Sequence, residues 1–301
     1  TYTPSDQFSL VVGVRGDYND YFAKAFCTPR SHIRWAITPS TVLRVSAGLG
    51  YRSSNVITDN IGILATGRSI IFDNGTGAAF DSQERAATYG GSITQTLSLL
   101  KSDDATLSFD YFRSSFTNQV IVDQELSSTE VHIYNSDGRS FTDTYQVDFM
   151  WSPIDNFDIF ATYRYTNSVV TLNRADGSQV EVERPLISRF KTLINLQYAT
   201  PYRRWVFDVT AQLNGSMRLP TQTGDLSDSE YSPAYPMFYA QVSRKIRAVE
   251  IYLGCENIAN YKQETPIISA DNPYSSEFNS SVVWGPLMGR KYYIGLRYSL
   301  F

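Results

Sequence analysis

The sequence predicts an all-β protein, a transmembrane antiparallel up-and-down β-barrel, and three observations lead there. Apolar and polar residues alternate with a period of two through long segments, while helical periodicity is nearly absent. Connections alternate between short turns and long loops, so a meander places every short turn at one end and every long loop at the other. Three of the four tryptophans, Trp35, Trp151 and Trp205, stand two to four residues from short turns, where an amphipathic ring would sit at a membrane interface.

The alternation sets about twelve strands. The first two cover 8–18 and 31–38, and the turn Thr38-Pro39-Ser40 opens the third, 41–54. There Leu43, Val45, Ala47, Leu49 and Tyr51 share one face, opposite Arg44, Ser46, Gly48, Gly50 and Arg52. Strands 84–100 and 105–122 flank Lys101–Asp104, and strands 140–152 and 156–172 flank Ser152–Asp155. The second of these sets Phe157, Ile159, Ala161, Tyr163 and Tyr165 against Asp158, Thr162, Arg164 and Thr166. Strands 188–199 and 203–219 flank Thr200–Arg203, with Trp205, Phe207, Val209, Ala211 and Leu213 on the apolar side. Strands 237–247 and 249–262 flank Ile246–Ala248, and 289–301 ends the chain with Ile294, Leu296, Tyr298 and Leu300 opposite Gly295, Arg297 and Ser299. Longer connections are expected at 19–30, 53–83, 123–139, 173–187, 220–236 and 263–288. All twelve prolines are read at strand ends or in connections, as the missing N–H requires. Several strands exceed ten residues, against about 5–6 in soluble sheets.

Composition excludes several classes. Twenty-six Lys and Arg against 30 Asp and Glu give a net charge of −4, too acidic for a partner held by phosphate contacts, so no nucleic acid is expected. Mean hydropathy is −0.26, and no apolar run approaches the length of a helical span. That average hides two opposed faces plus polar loops, and the 21 Tyr, 17 Phe and 4 Trp find their place at barrel rims and on the lipid face. Cys27 and Cys255 form no CxxC pair, and only His32 and His132 are present, so neither a disulfide framework nor a metal site is expected, nor any cofactor. The start, Thr1-Tyr-Thr-Pro-Ser5, has no charged region followed by an apolar one, as in a processed chain or a fragment. Hydrocarbon offers backbone groups no partner, so strands that span it must close on one another. The apolar set then faces lipid, and Arg15, Arg44, Asp110, Asp148, Asp158, Arg164, Lys191, Asp208, Glu256 and Arg297 face the lumen.

Particular residues narrow the kind of barrel. They are Tyr252-Leu-Gly-Cys-Glu-Asn-Ile-Ala-Asn260, Thr265-Pro-Ile267, Asn272-Pro273, Val283-Trp-Gly-Pro286 and Gly289-Arg-Lys-Tyr-Tyr-Ile-Gly-Leu-Arg-Tyr298. This series resembles the closing hairpin of TonB-dependent outer-membrane receptors, and its Trp-Gly-Pro loop is similar to those of the Bacteroidetes. Gly13-Val-Arg-Gly-Asp-Tyr18, Thr28-Pro-Arg30, Gly48-Leu-Gly-Tyr-Arg-Ser53, Phe116-Thr-Asn-Gln119 and Tyr134-Asn-Ser-Asp-Gly-Arg-Ser140 extend the resemblance along the chain. The resemblance implies a 22-stranded barrel closed by an N-terminal plug, importing a scarce nutrient with energy passed through TonB from the inner membrane of a Gram-negative cell. Residues 1–301 hold no counterpart of the plug or the TonB box and are read as the C-terminal part of the barrel, about its last twelve strands. Its expected partners are outer-membrane lipid, its own plug, the TonB complex, the barrel assembly machinery and a small-molecule chelate or glycan.

Ligand selection is expected where loops meet the lumen. Arg52 and Arg68 flank or occupy the loop 53–83, Asp225, Asp228 and Tyr231 lie in 220–236, and Tyr274 and Trp284 in 263–288. Such charged and aromatic groups suit a ferric siderophore or cobalamin-like chelate, although a loop packed on its neighbours is the plainer reading of each. Asp225-x-x-Asp228-x-Glu230 lacks EF-hand spacing and reads as an acidic loop. Arg44, Arg164, Asp208, Glu256 and Arg297 are read as facing a plug or the lumen. Tyr293, Gly295, Tyr298, Leu300 and Phe301 resemble the C-terminal assembly signal of outer-membrane barrels. No GxSxG elbow, phosphate loop or Ser-His pairing is present, so no enzyme is expected. A passive porin or structural barrel is the alternative, and an outer-membrane hydrolase a remote one.

Overall fold

The computed structural model describes residues 1–20, 23–72, 83–99, 102–136, 138–174, 176–221 and 230–300. Its strands are β1 (Tyr2–Ser5), β2 (Phe8–Asn19), β3 (Lys24–Thr38), β4 (Thr41–Ser53), β5 (Ser69–Phe72), β6 (Gln83–Leu99), β7 (Ser102–Thr117), β8 (Gln119–Asp123) and β9 (Glu130–Ser136). There follow β10 (Ser140–Ile154), β11 (Phe157–Asn173), β12 (Gln179–Glu183), β13 (Phe190–Ala199), β14 (Trp205–Asn214), β15 (Tyr235–Ile246), β16 (Val249–Glu256) and β17 (Lys291–Tyr298). A 14-stranded sheet forms the wall, in the order β1-β2-β3-β4-β6-β7-β10-β11-β13-β14-β15-β16-β17, with β12 added to β11. The wall pairings are antiparallel throughout, the up-and-down order expected from the alternation. Among the described residues β1 and β17 stand at the two ends of the path and do not pair with each other.

Cross-strand register fixes the faces. Val12 and Val14 point outward and are 62% and 71% exposed, values no soluble sheet tolerates on a continuous apolar face. Ile93, Phe109, Val147, Ile194, Val209, Leu253 and Ile294 continue this face across the wall. Tyr111, Tyr145 and Tyr165 are direct outward partners on β7, β10 and β11, with ring centroids 4.9 and 6.3 Å apart. Trp35, Trp151 and Trp205 ring the short-turn end. From Tyr145 to Trp151 is about 20 Å of strand at about 3.3 Å per residue, close to the height of a hydrocarbon band.

Several boundaries differ from the sequence-based expectation. The connection at 19–30 is short, because β3 begins at Lys24. Pro29 lies inside β3 rather than at an end; β4 pairs with β3 only from Arg30 onward, so one side of β3 is unladdered at Pro29. The strand expected over 105–122 breaks at Asn118, whose φ of 56° fits the left-handed tolerance of Asn and releases β8 from the wall. Likewise β14 stops at Asn214 and β16 at Glu256, where Asn257 adopts φ of 51°. The short β1 was not expected.

The long loops are built rather than merely solvated. β5, β9 and β8 form a separate sheet in that order, β5 parallel to β9 and β8 antiparallel to it. Here lie the buried apolar clusters of the described chain. Val56, Ile63, Val131 and Ile133 pack on one side, and Ile121, Tyr134, Val170 and Leu172 on the other. β11 thus changes role along its length: its inward positions are Asp158, Thr162 and Arg164 low down and Val170 and Leu172 where it meets the loop sheet. Arg218 and Glu125, only 3% and 4% exposed, join at 2.6 Å and tie the β8–β9 connection to the segment after β14. Asn279 and Ser281 both donate to the Gln124 side chain, at 3.1 and 2.9 Å.

Val209→Arg, outward at mid-wall, should cost about 2–4 kcal/mol in denaturant unfolding from lipid vesicles. Thr210→Arg, inward on the same strand, loses the 2.8 Å bond from Asn195 and should cost about 1 kcal/mol. Arg218→Met should leave Glu125 buried and uncompensated, opening the 119–136 segment by about 3–5 kcal/mol in hydrogen exchange, with protection recovered in Arg218→Met/Glu125→Leu.

Candidate functional site

Where the tops of β4, β6 and β7 meet the loop sheet, a cavity of about 700 Å³ remains. Arg52, Glu84, Phe116, Asp123, Leu172 and Arg184 are among its walls. Glu84 holds β8 against the wall by accepting from the Val120 amide at 2.9 Å. Arg52 is fixed by an ion pair with Asp59, which the Asn55 amide also supports at 3.1 Å. Tyr134 donates to Asp123 at 2.9 Å and accepts from the Asn173 amide at 3.1 Å. Burial, then the Asp123 charge, pushes the Tyr134 hydroxyl far up, so it stays a proton donor.

Arg184 differs from these fixed groups. Its guanidinium stands 5.9 Å from the Phe116 ring centroid, and among the described residues no carboxylate lies within ion-pair distance. Burial lowers its pKa from the ordinary arginine value, while Glu84 acts in the opposite direction. It stays charged, because even a lowered guanidinium is protonated at neutral pH. A half-desolvated cation resting on an aromatic face is suited to an oxyanion or a catecholate ring, which would supply both the missing charge and a stacking partner.

The residues expected from the sequence do not converge here, Arg52 excepted. Arg68 is buried in the loop sheet, donating to the Gln124 carbonyl at 2.8 Å, and burial lowers its pKa. Tyr231 lies at the outer surface, its ring under Arg189 at 4.7 Å and its hydroxyl on Glu183. The hydrogen bonds that Arg189 donates to Glu183 hold its pKa above the usual value. Trp284 packs beside Tyr235, and its backbone amide donates to Gln263 at 3.0 Å. Tyr274 is 98% exposed. Asp225, Asp228 and Phe301 lie outside the described residues. Arg44, Arg164, Asp208, Glu256 and Arg297 fall on the inward face, where Glu256 meets Lys291 and Arg297 meets Glu250. On β17, Tyr293 and Gly295 point inward, and Tyr298 points outward; Leu300 follows, largely exposed. A Cβ on Gly254 would strike the Tyr293 ring, and one on Gly295 the Tyr252 ring, so each glycine seats its partner's tyrosine.

Arg184 and Phe116 were not read as site residues, because nothing local to Arg184 marks it and the Phe116-Thr-Asn-Gln119 stretch reads as wall strand. Arg184 precedes a proline in a loop, and Phe116 lies one residue before the end of a strand of alternating residues.

Solved structures share this architecture. The ferric enterobactin receptor PfeA of Pseudomonas aeruginosa superposes with a TM-score of 0.68 at 13% identity, covering 99% of this chain and 43% of its own. The siderophore receptor PirA of Acinetobacter baumannii gives 0.65 at 11% identity, covering 99% and 44%. The copper transporter OprC gives 0.68 at 11%, covering 99% and 46%. The chain therefore spans less than half the length of the receptors it matches. No curated protein sequence matches it. The family described as TonB dependent receptor-like, beta-barrel matches residues 1–258, and the chain belongs to that family as an integral part of an outer-membrane barrel.

Proposed function

We propose that the whole receptor imports an anionic ferric chelate of the siderophore class across the outer membrane, driven by TonB through its own N-terminal plug. In this reading residues 1–301 supply barrel wall, selecting loops and closing strand, with no bond chemistry. The observation that carries it is the Arg184 guanidinium, without an ion pair among the described residues and set on Phe116 inside a cavity large enough for a ligand of several hundred Å³. Two of the matched structures are named as receptors for ferric enterobactin and for a siderophore, which supports the same substrate class. The packed sheet of loops favours selective uptake over a passive pore. The C-terminal hairpin, with its tyrosines seated on glycines, is the part offered to the barrel assembly machinery.

The deciding experiment is deletion of the full-length gene followed by uptake of iron-labelled siderophores under iron limitation; unchanged uptake of every ferric chelate refutes the reading. In the intact receptor, Arg184→Gln should weaken binding of a ferric catecholate by about 1.5–3 kcal/mol, roughly ten- to a hundredfold in Kd by fluorescence titration. Tyr274→Ala, at an exposed residue that does not line the cavity, should leave that Kd unchanged.

A further inference from the structure

Four carboxylates line the cavity: Asp59, Glu84, Asp123 and Glu125. The fold answers three of them with several donors each. Asp59 takes Arg52, the Ser54 hydroxyl and the Asn55 amide. Asp123 takes the amides of Glu125 and Leu126 and the Tyr134 hydroxyl. Glu125 takes both terminal nitrogens of Arg218 and the Thr221 amide. Glu84 is the exception. Among the described residues it accepts one bond, from the Val120 amide to Oε1 at 2.9 Å, and its Oε2 accepts none. No cationic side chain of the described chain lies within ion-pair distance of it.

Register accounts for this. Arg52 on β4 stands directly opposite Glu84 on β6, yet its guanidinium is committed to Asp59. On the other side Ala86 faces Phe116 on β7, which makes Glu84 the diagonal neighbour of that residue at about 7–8 Å. Arg184 rests on the same ring. Phe116 is therefore flanked by a cation without an ion pair and by a carboxylate with one oxygen to spare. Glu84 cannot turn aside without cost, because its bond to Val120 holds β8 against the wall. An anion with only acceptors on its periphery, seated on Arg184, would meet this fixed negative oxygen and lose part of what the arginine supplies.

We infer that, within the receptor reading above, Glu84 sets the selectivity of this cavity: Arg184 takes the anionic side of the ferric chelate, and Glu84 Oε2 accepts from an ammonium group on the same chelate. The favoured class is a chelate that carries amino groups beside its anionic metal centre. Hydrogen bonds between two ionised partners are the stronger kind, and a ligand lacking the donor leaves the carboxylate repelling it.

The test uses the full-length receptor in detergent micelles and two synthetic ferric tris-catecholates that differ in one arm, a primary ammonium in the first and a methoxy group in the second. Fluorescence titration at neutral pH should give the ammonium probe the lower Kd by roughly ten- to a hundredfold. Glu84→Gln keeps an oxygen for the Val120 amide and removes the charge. It should abolish the preference and tighten binding of the methoxy probe, while hydrogen exchange across 119–123 stays as in the wild type. A preference that survives Glu84→Gln overturns the proposal. So does equal weakening of both probes, with or without loss of that protection, since Glu84 is then structural only. Arg184→Gln separates the two ideas. Binding that depends on Arg184 but shows no ammonium preference refutes the role of Glu84 and leaves the receptor reading standing, whereas binding of neither probe to the wild type refutes both.

Discussion

Every backbone N–H and C=O in a hydrocarbon layer needs a partner from the chain itself, and the rest of this structure depends on that constraint. It explains why the wall is one antiparallel ladder whose departures among the described residues are short, at Tyr2–Ser5, Ala36–Thr38, Leu97–Leu99 and Trp151–Ile154, all beside short turns. It also explains the strand lengths, since the 17 residues of β6 and of β11 exceed what a membrane crossing needs and carry the ladder into the loops. With bonding settled by the ladder, side chains on the two faces are free to obey opposite solvents.

The usual relation between burial and polarity is consequently inverted. Outward Val14 and Ile294 are exposed because lipid, not protein, covers them. Protein-covered apolar residues sit instead in the loops, where Val131 and Ile133 are fully buried. Between these regimes lies the tyrosine row of Tyr111, Tyr145 and Tyr165, and just above it Arg113 and Asp143 pair at 3.2 Å. Aromatic rings with polar ends mark the boundary, as their amphipathic character requires.

Most of the wall was legible in the sequence, because period-two alternation needs no tertiary information: Val209 and Thr210 declare opposite faces wherever the strand lies. The loop sheet was not legible. β5, β8 and β9 span four to seven residues, and Ile121 and Ile133 read equally as the tail of a wall strand and as loop residues until the turn at Asn118 is known. The site was less legible still. Its cation, Arg184, is distinguished from Arg189 only by what stands beside it: Glu183 bonds Arg189 at 2.6 Å, whereas Arg184 faces a phenylalanine. Pairing of charges across the fold is a property of register and loop path, which composition and spacing do not encode.

The position of the cavity follows from the change of face regime along β11 and its neighbours. Low on the wall, inward side chains are polar and the lumen is open to water or to a polar filling. High on the wall, Val170 and Leu172 turn the same face apolar so that β8 and β9 can pack upon it. A ladder cannot switch regimes at one level on all strands, because staggered neighbours reach the loops at different heights. β6 and β7 end in Glu84 and Phe116, one of which holds β8 by its amide while the other bears Arg184. The gap left between an apolar-packed strand and its polar-headed neighbours is thus lined on one side by fixed ion pairs and on the other by a cation that has no ion pair among the described residues. In the proposed reading, an anion bound at this height would use a cost the fold already carries: Arg184 is partly desolvated by the loops whether or not a ligand is present, so an incoming oxyanion would gain a strengthened Coulomb attraction without bearing that part of the desolvation.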